Sequence, residues 1–264
     1  MRIRTTVVAA LAALTHAACG GGSAPSSSGP NDLLSEIKAA GVLKIGTEGT
    51  YSPFTFHDPK TNELTGFDVE VARAVAAKLG VKAEFFETPF DAIFAGLQAK
   101  RFDVVANQVS ITPARAATYD FSTPYAVSTG VVVTRADDNS VRSLADVKGK
   151  SSAQSVTSNF AATATTAGAK IEAVEGFTQA IALLKQGRVD VTINDNLAVL
   201  DYLKTTGDTG VKIVAQTKDR TEQAMAFRKG SGLATAVDGA LASLQADGTL
   251  TAISQKWFGQ DVSR

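Results

Sequence analysis

Cysteine occurs once in this chain, at Cys19, so no disulfide can form within one molecule. Histidine occurs twice, at His16 and His57. With a single thiol and a single histidine beyond the N-terminal segment, His/Cys metal clusters and Cys-His nucleophile pairs are excluded. A Ser-His-Asp site would have to use His57, which stands in the polar turn His57-Asp58-Pro59 and reads as a solvated surface residue. Neither charge sign is in excess: Lys plus Arg and Asp plus Glu each number 26, which leaves no basic field for nucleic acid and no acidic tail. Glycine patterns of the GxGxxG or P-loop kind are missing, against dinucleotide or nucleotide binding. No apolar run approaches the roughly 20 residues that span a bilayer.

What is present begins with an export signal. Arg2 and Arg4 precede a short apolar run, Thr5 to Leu14, and small residues lead to Cys19. Cys19 follows Ala17-Ala18 and opens a Gly/Ser/Pro-rich stretch, Gly20 to Pro30. That shape resembles a bacterial lipoprotein signal, with residues 1–18 removed, Cys19 lipidated and 19–32 serving as a flexible tether. The resemblance departs at His16, where such signals usually carry Leu, so cleavage to a soluble periplasmic protein stays open. Either route takes the protein out of the cytoplasm.

The most informative internal feature is an echo. Leu-Gln-Ala-Lys-Arg-Phe-Asp-Val-Val-Ala-Asn-Gln, residues 97–108, returns as Leu-Lys-Gln-Gly-Arg-Val-Asp-Val-Thr-Ile-Asn-Asp, residues 184–195. Each copy reads as a helix end, a basic turn and an apolar strand running into polar residues. Two similar lobes are the simplest explanation, and polar groups past a strand's carboxyl end are where open α/β sheets bind ligands.

Alternation of apolar strands and amphipathic helices predicts an α/β fold with mainly parallel sheets. Phe67, Val71, Val75 and Leu79 share one helix face, with Gly80 as its stop, and Thr112-Pro113 reads as a helix start. A polar stretch, Arg135 to Ser140, marks the crossing to a second lobe, and the return crossing falls near Lys218 to Gln223. The expected division is therefore a first lobe of 33–134, a second of 135–222, and a C-terminal part, 223–264, that rejoins the first. Two crossings make a two-strand hinge.

A zwitterionic ligand needs a cation, an anion and a dry, shaped space between them. Arg115, early in a helix after the strand end at Asn107-Gln108, could take a carboxylate bidentately, or could be a surface helix charge. Asp195, at the end of the second echo, could meet an ammonium or cap the helix that follows. Ser110 and Thr157 offer hydroxyl and main-chain contacts. Tyr51 and Phe90 could wall an aliphatic stem, although Phe90 also continues the apolar face of Ile93, Phe94 and Leu97. Glu48, beside Tyr51, could meet a polar side chain or stay solvated. No residue set calls for a metal or a cofactor.

The run Gly46-Thr47-Glu48-Gly49-Thr50-Tyr51-Ser52-Pro53-Phe54, then Gly66-Phe67-Asp68-Val69-Glu70, Ser110-Ile111-Thr112-Pro113-Ala114-Arg115, Asp120-Phe121-Ser122-Thr123-Pro124-Tyr125 and Lys256-Trp257-Phe258-Gly259 resembles the polar amino-acid solute-binding proteins of bacterial ABC importers. The resemblance implies a two-lobe periplasmic-binding-protein fold with a ligand cleft between the lobes, monomeric, delivering an amino acid to a membrane permease. By motif position it implies Arg115, Ser110 and Thr157 at the ligand carboxylate. It implies Asp195, Ser110 and the Gln108 carbonyl at the ammonium, and Tyr51, Phe90, Glu48 and Asn107 around the side chain. Glu48-Gly49-Thr50-Tyr51 with Asn107-Gln108-Val109 is similar to the cystine-binding members, which often carry Trp where this chain has Phe90. A second departure is Ser151-Ser152-Ala153-Gln154-Ser155-Val156-Thr157, where the family has an apolar strand and a Gly-Thr pair; a missing strand there would shift the Thr157 loop. The competing enzyme reading is a periplasmic dehydratase of the same fold, acting on prephenate-like or arogenate-like substrates, with Glu175 or Glu222 as general acid.

Overall fold

The computed structural model describes residues 33–263; the expected signal 1–18, tether 19–32 and Cys19 lie outside the described residues. Helix α1 (Leu33–Ala40) leads into β1 (Val42–Thr47), followed by a small three-stranded sheet of β2 (Thr50–Tyr51), β3 (Thr55–His57) and β4 (Leu64–Thr65). Helix α2 (Phe67–Leu79) buries Phe67, Val71 and Val75 on one face and ends where Gly80 turns left-handed at φ 78°. Next come β5 (Lys82–Glu87), α3 (Phe90–Gln98), β6 (Val104–Val105), α4 (Pro113–Thr118) and β7 (Tyr119–Phe121). The Thr112 hydroxyl accepts from the Arg115 N–H at 3.2 Å, so Thr112 caps α4 and Pro113 takes a first-turn position that needs no N–H.

The chain then enters β8 (Ala126–Arg135), a 3₁₀ turn (Leu144–Val147), β9 (Ser151–Gln154), α5 (Asn159–Thr166), β10 (Lys170–Ala173), α6 (Phe177–Lys185), β11 (Val191–Asp195), α7 (Asn196–Thr206) and β12 (Val211–Gln223). It returns through β13 (Ala226–Arg228), α8 (Leu233–Ala246) and α9 (Thr249–Phe258). Two five-stranded sheets result, ordered β5-β1-β6-β13-β7 and β10-β9-β11-β8-β12. Helices α8 and α9 bury Leu233, Val237, Leu241 and Leu250 with Ile37, Val71 and Val75, which ties the C-terminal segment to the first lobe.

The sequence echo is a structural repeat. Strands β6 and β11 are the third of five in their sheets, and each follows the helix that the echo contains. Lys100 and Gly187, which correspond in the echo, both sit left-handed, at φ 59° and 70°. Asp103 accepts from the Lys44 N–H of β1 at 3.1 Å, and Asp190 accepts from the Ser151 N–H of β9 at 2.8 Å. One turn and one carboxylate thus tie the central strand to its neighbour in both lobes.

Two expectations are revised. β8 pairs with β12 from Ala126 to Arg135 and with β11 from Gly130 to Thr134, so the chain leaves the first sheet before Ala126 and not after residue 134. The polar residues after Arg135 end a strand already inside the second lobe. β12 likewise runs unbroken in sequence to Gln223, pairing Ala126 with Gln223 and Thr129 with Arg220. These paired strands are the two-strand hinge.

The strand expected to be missing is also present, as β9. Ser152, Ala153 and Gln154 are buried there without an apolar run. Polar bonds replace side-chain hydrophobicity: Ser151 donates N–H and Oγ to Asp190, Thr192 Oγ1 donates to the Ala153 carbonyl at 2.9 Å, and Gln154 Nε2 donates to Ser152 Oγ at 3.1 Å. A four-residue parallel register with β10 completes the strand. Its polar composition hides it, because burial of such groups is stable only once their partners are in place.

Candidate ligand-binding cleft

Both central strands end at the cleft. Beyond β6, Asn107 and Gln108 line a cavity of about 50 Å³ with Glu48, Tyr51 and Phe90 of the first lobe. From the second lobe Gln154, Phe160, Phe177 and Asn194 face them. The lobes touch across the cleft, where Tyr51 Oη donates to Asn194 Oδ1 at 2.6 Å and Ser52 Oγ donates to Asp201 Oδ2 at 2.9 Å.

Asp195 is 1% exposed and serves two roles at once. Its Oδ1 accepts from the Leu197 N–H at 2.9 Å, capping α7. Its Oδ2 accepts from Ser128 Oγ on the hinge strand β8 and from Gln108 Nε2 at 3.3 Å, across the cleft. Burial raises its pKa to about 6 against the lowering effect of these bonds. The two sequence readings of Asp195, cap and cleft anion, are therefore not exclusive.

Gln108 is held in an unusual state. Its φ of 48° is left-handed for a residue with a Cβ, and its N–H donates to the fully buried Asp68, which also accepts from Tyr125 Oη at 2.9 Å. Burial pushes the Asp68 carboxyl up to about 7. The Gln108 Oε1 is buried without a hydrogen-bond partner.

Glu48 is fixed by Asn107. Asn107 Nδ2 donates to Glu48 Oε2 at 2.7 Å, and Asn107 Oδ1 accepts from the Glu48 N–H at 2.7 Å. Burial raises Glu48 to about 7, the Asn107 bond opposes this, and the charge of Asp91 adds to it.

Arg115 stacks on Phe90 and Phe94, with its guanidinium carbon 5.5 and 5.2 Å from the ring centres. It donates to the carbonyls of Ser110 at 2.9 Å and Thr157 at 3.1 Å. Burial brings its pKa down to about 10. Neither Arg115 nor Asp195 has an ion-pair partner among the described residues.

The cluster expected from sequence is thus only partly gathered. Glu48, Tyr51, Phe90, Asn107 and Gln108 line the enclosed cavity, whereas Arg115 and Thr157 line an adjoining wider groove of about 1120 Å³, and Ser110 and Asp195 lie behind the walls. Thr157 does not offer a free N–H: Asp91 Oδ1 accepts from both its N–H, at 3.0 Å, and its hydroxyl, at 2.7 Å. Sequence reasoning missed Asp91, Phe160 and Phe177 as cleft residues. Asn194, which corresponds to Asn107 in the echo, lines the cavity as the strand-end pattern suggests.

Other candidates fall outside. His57 is paired with Glu87 at 2.9 Å on the surface, and Glu175 and Glu222 are exposed and absent from the cavity wall. Among the described residues no group of three or more His, Cys, Asp or Glu side chains is placed to hold a metal ion, and no helix is long and apolar enough to cross a membrane.

Two α/β lobes, joined by a pair of strands and meeting at a cavity lined from both sides, define a hinged solute-binding protein. The chain belongs to the bacterial extracellular solute-binding proteins, family 3, whose pattern matches residues 43–260. It is 54% identical over 262 residues to the L-cystine-binding protein TcyA of Bacillus subtilis (strain 168), covering 98% of this chain and 97% of that one. Among solved structures, an ancestral arginine-binding protein bound to arginine superposes with a TM-score of 0.78 at 39% identity, over 83% of this chain and 99% of that one. The L-cystine solute receptor of Neisseria gonorrhoeae in the unliganded open conformation is 48% identical, over 88% of this chain and 99% of that one, yet its TM-score is 0.58. A lower score at higher identity is what rotation of one lobe against the other produces, and here the lobes are in contact.

Proposed function

We propose that this protein is the extracytoplasmic receptor of an ABC importer for L-cystine or a related polar amino acid, working by binding and lobe closure without covalent chemistry. The observation that carries the reading is the pair Arg115 and Asp195, a cation and an anion taken largely out of water with no counter-ion among the described residues. Charges in that state cost several kcal/mol unless something pairs them. An α-amino acid brings both counter-ions. In this reading Arg115 and Ser110 meet the carboxylate, Asp195 and Gln108 the ammonium, and Tyr51, Phe90 and Phe177 the stem.

Glu48 gives the reading its finer part. It lines the enclosed cavity with Tyr51, Phe90 and Phe177, fixed by Asn107 and able to accept a second ammonium. Cystine carries an amino-acid head at each end of an apolar disulfide, and the names of TcyA and the gonococcal receptor support it as the ligand. Lipidation of Cys19 and a monomeric state belong to the same proposal.

The test is a thermal-shift screen of the purified protein against the twenty amino acids and cystine, since a ligand of the folded state raises the melting temperature. A shift with cystine above all others supports the narrow form. Comparable shifts with several polar amino acids remove cystine and keep the receptor, and no shift with any of them overturns both.

A further inference from the structure

Asp91 makes more bonds across the cleft than any other side chain described above. It is the second residue of α3, in the first lobe, beside the cavity-lining Phe90. Its Oδ1 accepts from the Thr157 N–H at 3.0 Å and from Thr157 Oγ1 at 2.7 Å, and its Oδ2 accepts from the Val156 N–H at 3.2 Å. Both oxygens of one carboxylate thus hold two consecutive peptide N–H groups of the opposite lobe.

The loop it grips joins β9 to α5 and is fixed at both ends. Ser155 Oγ donates to the Glu175 carbonyl at 3.1 Å, and Ser158 caps α5 by accepting from the Ala161 N–H at 3.0 Å. On the far side of the same residue, the Thr157 carbonyl accepts from Arg115 at 3.1 Å. Two first-lobe side chains of opposite charge, Asp91 and Arg115, therefore take the N–H and the C=O of Thr157. Charge-assisted bonds to main-chain groups are stronger than neutral ones, and three from one carboxylate fix geometry as well as distance.

We propose that Asp91 is a positioning residue, an anionic clasp that holds the lobes together through Val156 and Thr157 while the amino acid binds beside it. The proposal rests on the receptor reading. Thr157 serves closure, and the ligand's carboxylate is left to Arg115 and Ser110 of the first lobe.

The test compares the wild type with Asp91→Asn and Asp91→Glu. Asp91 is exposed on the outer side of the cleft, so neither change removes a buried core group. Small-angle scattering without added amino acid reads lobe separation whatever the ligand is. Asp91→Asn should raise the radius of gyration and leave the melting temperature within a few degrees, and Asp91→Glu, which keeps the carboxylate, should return part of the compaction. In stopped-flow experiments with cystine, Asp91→Asn should speed dissociation about tenfold, the scale of losing charge-assisted hydrogen bonds. Unchanged compaction and dissociation in Asp91→Asn would overturn the clasp. So would tighter cystine binding by that variant, because Asp91 would then be a stand-in that competes with the ligand's carboxylate. Failure of cystine to bind the wild type would count against the receptor reading alone, since the scattering comparison does not use it.

Discussion

Tyr51 Oη and Asn194 Oδ1 stand 2.6 Å apart on opposite lobes, joining a residue of the small first-lobe sheet to the end of the second lobe's central strand. Asn194 also accepts from the Asp195 N–H at 2.8 Å, so the contact steadies the strand end that carries Asp195. Tyr51→Phe keeps the ring against Phe54, 5.0 Å away between centres, and deletes the bond. We expect amino-acid affinity to fall about fivefold, near the net value of one hydrogen bond of about 1 kcal/mol. Isothermal calorimetry on the two proteins checks it, and a larger loss with a lowered melting temperature would mean that the ring itself had moved.

Arg115→Lys tests geometry at constant charge. The guanidinium lies against two aromatic rings and forks to two carbonyls. An ammonium is a point charge that cannot reproduce a planar fork or its stacking. Binding should weaken at least about tenfold while the fold persists, on the scale of roughly 2 kcal/mol for losing charged hydrogen bonds. Equal affinity in titrations of Arg115→Lys would remove Arg115 from the carboxylate site.

Binding should release protons in mildly acid solution. Asp195 and Glu48 are raised by burial to about 6 and about 7, so at pH 6 both are partly protonated, whereas a cationic ligand group favours their ionised forms. Affinity should therefore rise with pH up to about 7 and then level off. Calorimetry at pH 6 in two buffers of different ionisation enthalpy should give different apparent heats, and the same pair of buffers at pH 8 should agree. Folding stability runs the other way. With Asp68 also near 7, the folded state holds more protons than the unfolded chain between about pH 4 and 7, so these three groups make stability fall as pH rises through that window. Urea melts at pH 5 and 7.5 read the difference.

Lys100→Gly should stabilise the protein. Lys100 has φ 59° at the position where the second lobe has Gly187, and a side chain in that region is strained. Relief of strain, less the extra freedom of glycine in the unfolded chain, should leave roughly 0.5 kcal/mol, measurable in urea. The reverse change, Gly187→Lys, should cost about 1 kcal/mol.

Much of the site was legible because its residues sit at the ends of strands with strong apolar patterns. Asn107 with Gln108, and Asn194 with Asp195, follow Val104-Val105 and Val191 to Ile193, and the echo drew attention to both. Asp91 was not legible, since nothing in Pro89-Phe90-Asp91-Ala92 distinguishes a carboxylate that crosses to the other lobe from one that caps its own helix. β9 was hidden for the same kind of reason: Ser151 to Gln154 looks like a loop until Asp190 and Thr192 supply its partners.

The sequence by itself determined two α/β lobes and a hinge of two strands, and it pointed to Glu48, Tyr51, Phe90, Asn107 and Gln108, which the fold brings to one cavity. Local periodicity, caps and repeated strand ends are properties of neighbours along the chain, and they survive without knowledge of the fold. Only the tertiary structure decided which groups face which: that Asp91 holds Thr157, that Arg115 lies on Phe90 and Phe94, that Gln108 is bent left-handed over Asp68, and that β8 belongs wholly to the second sheet. Each depends on residues distant in sequence meeting at hydrogen-bond range, where burial and the position of the opposite lobe set the pairing.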